Sequence, residues 1–484
     1  KKRRFSMKNL RLCWAAFGLC VSLGVSAQRG SCGTGVSWAL ADGTLTISGE
    51  GNMTDFTDPR YGSSNLPSWD IYKDNIVKVV IEGGVKHVGS YAFYDYSNLQ
   101  AVTFAEGVKS IGSSAFYGCE GIKELLFPSS MKIISGQHNT NEDAEPQVST
   151  FGMGGTGTAY MSSEAFRGCA GLTSVTIPRG VIGVGSGTFK NCRNLKSVYW
   201  DVADYPSYGF STANENGFRD YGTQGSSPFS GCRLKEVVFG SEVDSIPGGL
   251  LYGQSELSAI KFSGKTEYVG KDAFKETVWF DNLPNGLVYI DKAAYAFKGL
   301  MSTPTAISIT EGTKSITEGL FANQTYLTKV TVPSTLTYMG YEVFEGCRSL
   351  GEVEWNAEDC KFGQTYGAPF SATALYTITF GEKVRKIPDG LCSGCRYITE
   401  VKMPASVVEV GESAFSDCSG LEAVGFSENM TSIEARAFLD CAKLSELILP
   451  NSLREIGENA FSGCTGLETL SIPESVDSIG RSAF

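Results

Sequence analysis

Hydrophobic positions recur along this chain at a constant spacing, and the clearest run lies near the C-terminal end. Phenylalanine and cysteine mark the period, since each returns every 23 residues. The positions are Phe415, Phe438, Phe461 and Phe484, with Cys395, Cys418, Cys441 and Cys464. A fixed period of this size is typical of a solenoid, in which a short unit buries its apolar face only by stacking on its neighbours. The pattern therefore predicts a stack of coils.

The pattern inside one unit predicts a short strand and a tight turn. Leu470, Ser471 and Ile472 alternate apolar and polar residues, as in a strand with one buried face. Pro473 has no N–H group to donate, so it ends the strand. The segment GENAFSGC lacks this alternation and predicts a helical or 3-10 turn. Because 23 residues are too few for the long helix of a β-α-β crossover, we expect a β-rich solenoid of parallel strands.

Several consecutive units share the pattern IGxxAFxxCxxLxxVxIPxxVxx, with apolar residues, cysteine and proline at fixed offsets. This pattern resembles the BspA-like leucine-rich repeats of bacterial surface proteins, and the resemblance covers most of the chain. It implies a curved parallel-β solenoid on an exported protein that serves as an adhesin or a host-interaction surface. The structural core of the repeat is then expected at Phe415, Cys418, Leu421, Phe438, Cys441, Leu444, Phe461, Cys464 and Leu467.

The repeats divide the chain into three parts. Residues 1–27 precede any repeat, residues 28–75 form a separate N-terminal β module, and residues 76–484 form an array of about 16 units, one of them centred on Phe297. In the second part, two alternating stretches flank Asp42-Gly43, which predicts a β-hairpin that covers the first coil. The array stops halfway through a unit, so we expect the chain to be a fragment, truncated at the C-terminus.

Four interruptions break the period, near residues 135–160, 201–228, 276–291 and 356–369. The second and fourth follow strands that end in Trp200 and Trp355, so we expect both to leave the solenoid from the same edge. Aromatic rings among polar residues give contact area at small entropic cost, which suits recognition. The candidate partner contacts are Tyr205, Tyr208, Phe210, Phe218 and Tyr221, with Tyr199 and Tyr366. The alternative is that these rings fold back and pack on the solenoid.

The middle residue of each strand is expected to point outward and to form a stripe along the stack. Its members are Thr103, Leu126, Thr176, Tyr199, Val238, Lys261, Ser308, Thr331, Glu354, Thr379, Lys402, Gly425, Ile448 and Ser471. This stripe is mixed and mostly neutral, and no row of carboxylates or aromatic rings marks a catalytic groove. Threonine and serine are also favourable strand residues, so a purely structural role is the simpler interpretation of this face.

The N-terminal residues read as an export signal. Six basic residues precede an apolar run from Leu12 to Val25, and Val25-Ser26-Ala27 supplies small residues for cleavage. Met7 is a candidate start. The alternative is a signal anchor that stays in the membrane, although the run is short for a full span. Removal of the leader takes the formal net charge from −11 to −17, which disfavours nucleic acid and anionic lipid as partners.

Catalytic and cofactor chemistry finds little support in the sequence. The only histidines are His87, at a variable repeat position, and His138, in a polar loop. Neither has a partner at the spacing of a catalytic triad or a metal site. The glycine-rich run at residues 152–157 lacks the pattern of a phosphate-binding loop. We therefore expect no cofactor, no metal and no enzyme activity in this segment.

Nine of the 14 cysteines occupy one repeat position and should form an inward-facing column. Equivalent side chains in successive coils lie side by side, without the crossed geometry of a disulfide. Packed thiols are therefore preferred over disulfide bridges, which remain the alternative. The pair Cys392 and Cys395 is interpreted as core substitution rather than redox chemistry, while Cys32 and Cys360 have no assigned place.

Together these features predict a secreted or cell-surface leucine-rich-repeat protein that mediates protein–protein or host and matrix adhesion. The expected partner is a protein or glycan bound on an extended surface, and the part after the leader is expected to have no membrane span. The alternative is the non-catalytic targeting region of a larger exported enzyme that acts on glycans. The adhesive role follows from the family resemblance.

Overall fold

The structure is a computed structural model, and it describes residues 28–61, 65–135, 163–203, 227–363 and 368–484. The chain enters the stack through an antiparallel unit of three strands, β1 (Gln28–Gly33), β2 (Val36–Ala41) and β3 (Thr44–Gly49). The short strand β4 (Gly51–Asn52) follows and pairs in parallel with the array. Strands β2 and β3 form a hairpin around Asp42 and Gly43, both at positive φ. Two 3-10 helices follow, Pro59–Tyr61 and Asp70–Asn75. The predicted hairpin cap is thereby confirmed.

The first block of coils begins at Lys78–Ile81, the strand β5, which pairs in parallel with β3. Most regular coils contribute a longer strand and a shorter one, which belong to separate sheets. The strands are β5 (Lys78–Ile81), β6 (Val85–Val88), β7 (Ala101–Phe104), β8 (Ser110–Ile111), β9 (Ile133–Ile134), β10 (Ser174–Ile177), β11 (Gly183–Val184), β12 (Ser197–Trp200), β13 (Glu236–Phe239), β14 (Ser245–Ile246), β15 (Ala259–Lys261) and β16 (Tyr268–Val269).

A second hairpin separates this block from the next one. It follows the short helix α1 (Val278–Asp281) and consists of β17 (Gly286–Ile290) and β18 (Ala293–Lys298), which pair antiparallel. The second block then repeats the parallel pattern. Its strands are β19 (Thr305–Ser308), β20 (Ser315–Ile316), β21 (Leu327–Val332), β22 (Tyr338–Met339), β23 (Glu352–Trp355), β24 (Lys361–Phe362), β25 (Thr377–Phe380), β26 (Lys386–Ile387), β27 (Glu400–Lys402), β28 (Glu409–Val410), β29 (Ala423–Gly425), β30 (Ser432–Ile433), β31 (Glu446–Leu447), β32 (Glu455–Ile456) and β33 (Ser478–Ile479).

The second hairpin has both faces covered, one by each block. Val288 and Ala296 pack against the core of the first block. Leu287, Tyr289 and Phe297 pack against the core of the second. Phe297 therefore does not mark a regular coil, although it keeps the 23-residue spacing: its ring is tilted by 48° to that of Phe321 instead of stacking on it.

The phenylalanines of regular coils form columns of stacked rings. Ring centroids in successive coils lie 4.9–5.7 Å apart, with interplanar angles no larger than 23°. Phe415, Phe438 and Phe461 are in register, at 5.4 and 5.3 Å. The predicted parallel-β solenoid is thereby confirmed, since one apolar position per coil supplies a continuous core.

The segment around each phenylalanine is a series of tight turns with two left-handed corners. In one coil Ser413 and Asp417 have φ of 56° and 58°. The N–H groups of Ser413, Phe415 and Asp417 donate to carbonyl groups of the next coil. Glycine, asparagine and aspartate tolerate such a φ better than other residues, which explains their frequency at the second corner. The corners thus bond each coil to its neighbour outside the strands.

Candidate interaction face

Outward residues of the long strands form a column in each block, because the parallel register places equivalent residues side by side. Tyr199 lies directly between Thr176 and Val238. Tyr199 is 41% exposed, and Leu126, at the equivalent repeat position of a coil that has no long strand, is 66% exposed. Ile448 stands out in the second block at 80% exposed. These large apolar groups stand in a stripe of small and charged residues, so they are candidate places for contact with a partner.

The insertion at residues 201–228 begins immediately beyond Tyr199. Trp200 ends strand β12 and is fully buried, so it points into the core while Tyr199 points outward. Tyr205, Tyr208, Phe210, Phe218, Tyr221 and Tyr366 all lie outside the described residues. Of the seven sequence-predicted contacts, the described residues therefore include only Tyr199, at the base of the insertion.

The fourth interruption is shorter than the expected range of 356–369. Strand β24 pairs with β22 in the regular register, Tyr338 with Lys361 and Met339 with Phe362. Residues up to Gly363 therefore follow the ordinary course of a coil, and the extra residues lie after the short strand. This differs from the expectation that the interruption starts at the end of the long strand, after Trp355.

His87 is buried between two polar side chains that join the N-terminal module to the array. Its Nδ1 lies 2.8 Å from Ser110 Oγ, and its Nε2 lies 3.2 Å from Asp55 Oδ1. The Ser90 N–H also donates to Asp55 Oδ1, at 2.6 Å. Ser110 is only 6% exposed and His87 only 1%, so the hydroxyl is closed to a substrate. The three residues act as a structural bridge.

The bridge was only partly visible in the sequence. Ser110 stands one period after His87, at the equivalent position of the next coil, so stacking alone brings the two together. Asp55 lies in the module before the repeats and carries no such signal. Burial disfavours ionisation of Asp55, but the hydrogen bond and charge of His87 and the Ser90 N–H outweigh it and hold the pKa of Asp55 below its usual value.

The repeat geometry agrees with the comparison against protein families. The model of the BspA type leucine-rich repeat region matches this chain at residues 64–142, 155–221, 219–299, 293–421 and 366–484. The chain belongs to this family. The resemblance predicted from the sequence is confirmed. Membership implies a general role in protein binding or adhesion, and repeat scaffolds of this family are in general not catalytic.

Three solved structures have similar repeats at low identity. A leucine-rich repeat protein from Bacteroides ovatus is 20% identical, with 91% of this chain and 94% of that chain covered and a TM-score of 0.33. One from Eubacterium ventriosum is 19% identical, with 95% and 94% covered and a TM-score of 0.29. A leucine-rich cell surface protein from Faecalibacterium prausnitzii is 18% identical, with 95% of each covered and a TM-score of 0.24. No curated protein matches.

In this BspA-type array the cysteine position supplies a hydrogen-bond donor to the neighbouring coil. Cys119 Sγ donates to the Phe93 carbonyl at 3.1 Å, and Cys441 Sγ to the Phe415 carbonyl at 3.2 Å. Where the repeat has glutamine instead, Gln254 Nε2 donates to the Phe229 carbonyl at 2.8 Å. In these coils the position holds a compact or flexible side chain that carries a hydrogen-bond donor.

The predicted core residues have the burial that this role requires, apart from one. Phe415, Cys418, Leu421, Phe438, Cys441 and Leu444 are fully buried, Phe461 and Cys464 nearly so, and Leu467 is half-buried. The cysteines within the described residues are free and buried. Burial raises the pKa of Cys347 to about 11 and that of Cys32 to about 12. These thiols are therefore protonated and shielded at neutral pH.

Within the described residues, no group of three or more His, Cys, Asp or Glu side chains is placed to hold a metal ion. No helix in that part of the chain is long and apolar enough to cross a membrane.

Sequence reasoning missed three exposed tyrosines of the second block. Tyr326, Tyr376 and Tyr397 are 46%, 52% and 64% exposed. All three lie at the corner where a coil enters its long strand, outside the outward stripe considered above. A signal was present, since Tyr326 and Tyr397 occupy a repeat position that holds serine, alanine, glycine or lysine in the other regular coils of that block.

Proposed function

We propose that the chain is a secreted or cell-surface binding protein that attaches to a host or matrix protein through the face around Tyr199 and the adjoining insertion 201–228. The proposal that the chain is exported is based on the basic and apolar pattern of residues 1–27, which lie outside the described residues. Tyr199 carries the proposal, because it is an exposed ring in a stripe of mostly small residues and stands next to an insertion rich in tyrosine and phenylalanine.

The face around Tyr199 belongs to a long stack and rests on a rigid strand. A stable protein partner buries roughly 800 Å² on each side, which a long stack offers without a deep pocket. Strand β12 is held by parallel pairing on both sides, so Tyr199 is presented from a rigid base. Rings on rigid elements lose little conformational entropy on binding and often dominate the affinity.

The test compares the intact chain with two variants against immobilised fibronectin, laminin and collagen. One variant lacks residues 204–226, and the other carries Tyr199→Thr, the residue type of the neighbouring coil. We expect the wild-type chain to bind at least one of them, the deletion to abolish that binding and Tyr199→Thr to weaken it by about tenfold.

A matched deletion of residues 136–162, from the first interruption, serves as the control and should leave binding unchanged. Equal loss in both deletions, or unchanged binding in the deletion of 204–226, would contradict the proposed site. Circular dichroism of each variant establishes that the solenoid remains folded.

A further inference from the structure

The corner of the second block that precedes the long strands carries a shallow recess between two exposed tyrosines. Tyr326 stands three residues before Lys329 in β21, and Tyr397 stands three residues before Glu400 in β27. Three coil steps separate them. At about 4.8 Å a step, the two side chains are about 14 Å apart along the stack.

The two coils between them have small residues at the same position. Ser349 and Ala374 replace the tyrosines there, so the corner is low in the middle and high at both ends. A glycine makes room for a third ring, since Gly351 follows Leu350 where the next coil has Tyr376 after Leu375. The ring of Tyr376 packs against Gly351, and a Cβ at that position would overlap ring atom Cε1.

Tyr376 is also oriented by a hydrogen bond. Its hydroxyl donates to Glu352 Oε1 at 3.2 Å, on the coil over which the ring lies. With 52% of the residue exposed, the ring forms part of the recess and keeps open surface. An ordered aromatic ring between two further rings is a platform for a ligand that has an apolar face.

The charges around the recess largely offset one another. Lys329 Nζ lies 3.9 Å from Glu352 Oε2, and Lys402 Nζ lies 3.0 Å from Glu400 Oε1. Arg348 and Arg396 are exposed on the same corner and offer several N–H donors. The surface thus supplies paired charges, hydrogen-bond donors and carboxylate acceptors rather than a strong field of one sign.

We propose that this recess binds an uncharged oligosaccharide. The C–H face of a sugar ring carries slight positive charge and is attracted to the negative face of a tyrosine ring. Its hydroxyl groups donate to carboxylates and accept from guanidinium groups, as the flanking Glu352, Arg348 and Arg396 allow. Three rings over about 14 Å offer far less area than the roughly 800 Å² of a stable protein contact. The site is separate from the face around Tyr199.

The test uses isothermal titration calorimetry of the full chain with neutral gluco-, manno- and galacto-configured tetrasaccharides, each at up to about 1 mM. We expect at least one to bind, and Tyr376→Ala and Tyr397→Ala each to weaken that binding by about tenfold. Gly351→Ala should weaken it similarly because the added methyl displaces the Tyr376 ring. Tyr61→Ala, which removes an exposed tyrosine of the N-terminal module, is the control and should bind as the wild type does.

Two results would overturn the proposal. One is that the wild-type chain binds none of the neutral tetrasaccharides or prefers a sulfated tetrasaccharide used in parallel. The other is that binding survives in the Tyr376→Ala, Tyr397→Ala double variant while its circular dichroism is unchanged. Either result leaves the matrix-protein experiment unaffected, because that experiment depends on Tyr199 and residues 204–226.

Discussion

At the scale of single residues, glycine at the second corner of a coil makes room for the side chain at the same corner of the preceding coil. Gly118 has φ of 70°, and a Cβ there would overlap Oδ1 of Asp95 in the preceding coil. The same relation holds between Gly463 and Asp440. In these pairs the side chain of one coil occupies the space that a Cβ of the next coil would need. This coupling between coils is a constraint that a repeat consensus does not state.

Replacement of Gly118 by alanine is expected to destabilise the array for two reasons. Alanine in the left-handed region costs about 1–2 kcal/mol, and displacement of Asp95 adds to that cost. Gly253→Ala is the matched control, because Gly253 has φ of 72° at the same corner but open space where the methyl would lie. Urea-induced unfolding should show a larger loss for Gly118→Ala, and equal losses would contradict the role of Asp95.

The bridge at His87 should make the stability of the chain depend on pH. The pKa of Asp55 is held below its usual value in the folded chain, so its stabilising contribution is present above the unfolded pKa of about 4 and is lost as pH falls. The side chain of Asp55 is 51% exposed, which limits the effect to about 1 kcal/mol through solvent screening.

The measurement compares urea unfolding of the wild type and Asp55→Asn at pH 7 and pH 3. Asparagine keeps the size of the side chain but does not titrate, so the variant should be the less stable of the two at pH 7. The difference should be smaller at pH 3, because pH 3 lies below the unfolded pKa of aspartate and part of the contribution of Asp55 is lost there. Other carboxylates contribute to both chains and cancel in the difference. A difference independent of pH would show that the charge of Asp55 plays no part.

At the scale of elements, the hairpin β17–β18 bonds to both blocks through two tyrosine hydroxyls. Tyr295 Oη accepts from the Phe274 N–H of the first block at 2.9 Å, in a fully buried place. Tyr289 Oη accepts from the Thr310 N–H of the second block at 2.9 Å, in an exposed place. The two bonds have equal lengths but different access to water.

Tyr295→Phe should therefore cost more than Tyr289→Phe. Loss of the buried acceptor leaves the Phe274 N–H without a hydrogen bond, which should lower the free energy of unfolding by about 1–3 kcal/mol. At Thr310, water replaces the lost acceptor. Thermal unfolding followed by circular dichroism checks the order, and each variant keeps the ring and hence the packing. If Tyr289→Phe lowered the unfolding temperature more than Tyr295→Phe, the hydrogen bond to the second block would be the stronger of the two.

The elements also show how far sequence reasoning reaches. The coil, its strand and the phenylalanine column follow from the period, because the same apolar position recurs where a neighbour covers it. The second hairpin was not predicted, since Phe297 stands one period after Phe274 and hides the change to antiparallel pairing. The partner of His87 in the N-terminal module and the ring of Tyr376 on Gly351 depend on side-chain reach between coils. Periodicity alone does not give such contacts.

At the scale of the whole molecule, each block begins with an antiparallel hairpin that continues into parallel strands. Strand β3 leads into β5 in the first block, and β18 leads into β20 in the second. The buried side chains accordingly fall into two hydrophobic clusters that meet at residues 293–295. Within a block, coils contact their nearest neighbours, so the coils of one block are expected to unfold cooperatively. We expect this cooperativity to be weaker across the hairpin.

The division into two blocks predicts that the loss of a core side chain destabilises only the block that contains it. Phe438→Ala removes a fully buried ring stacked between Phe415 and Phe461, at a cost of about 3–5 kcal/mol. Hydrogen exchange followed by mass spectrometry should then show faster exchange in residues 303–484 and unchanged exchange in residues 28–275. Phe166→Ala, which removes a ring stacked between Phe116 and Phe189, is the reciprocal control and should give the opposite pattern. Faster exchange in both blocks for either variant would mean that the hairpin transmits the loss, and the chain would then unfold as one cooperative unit.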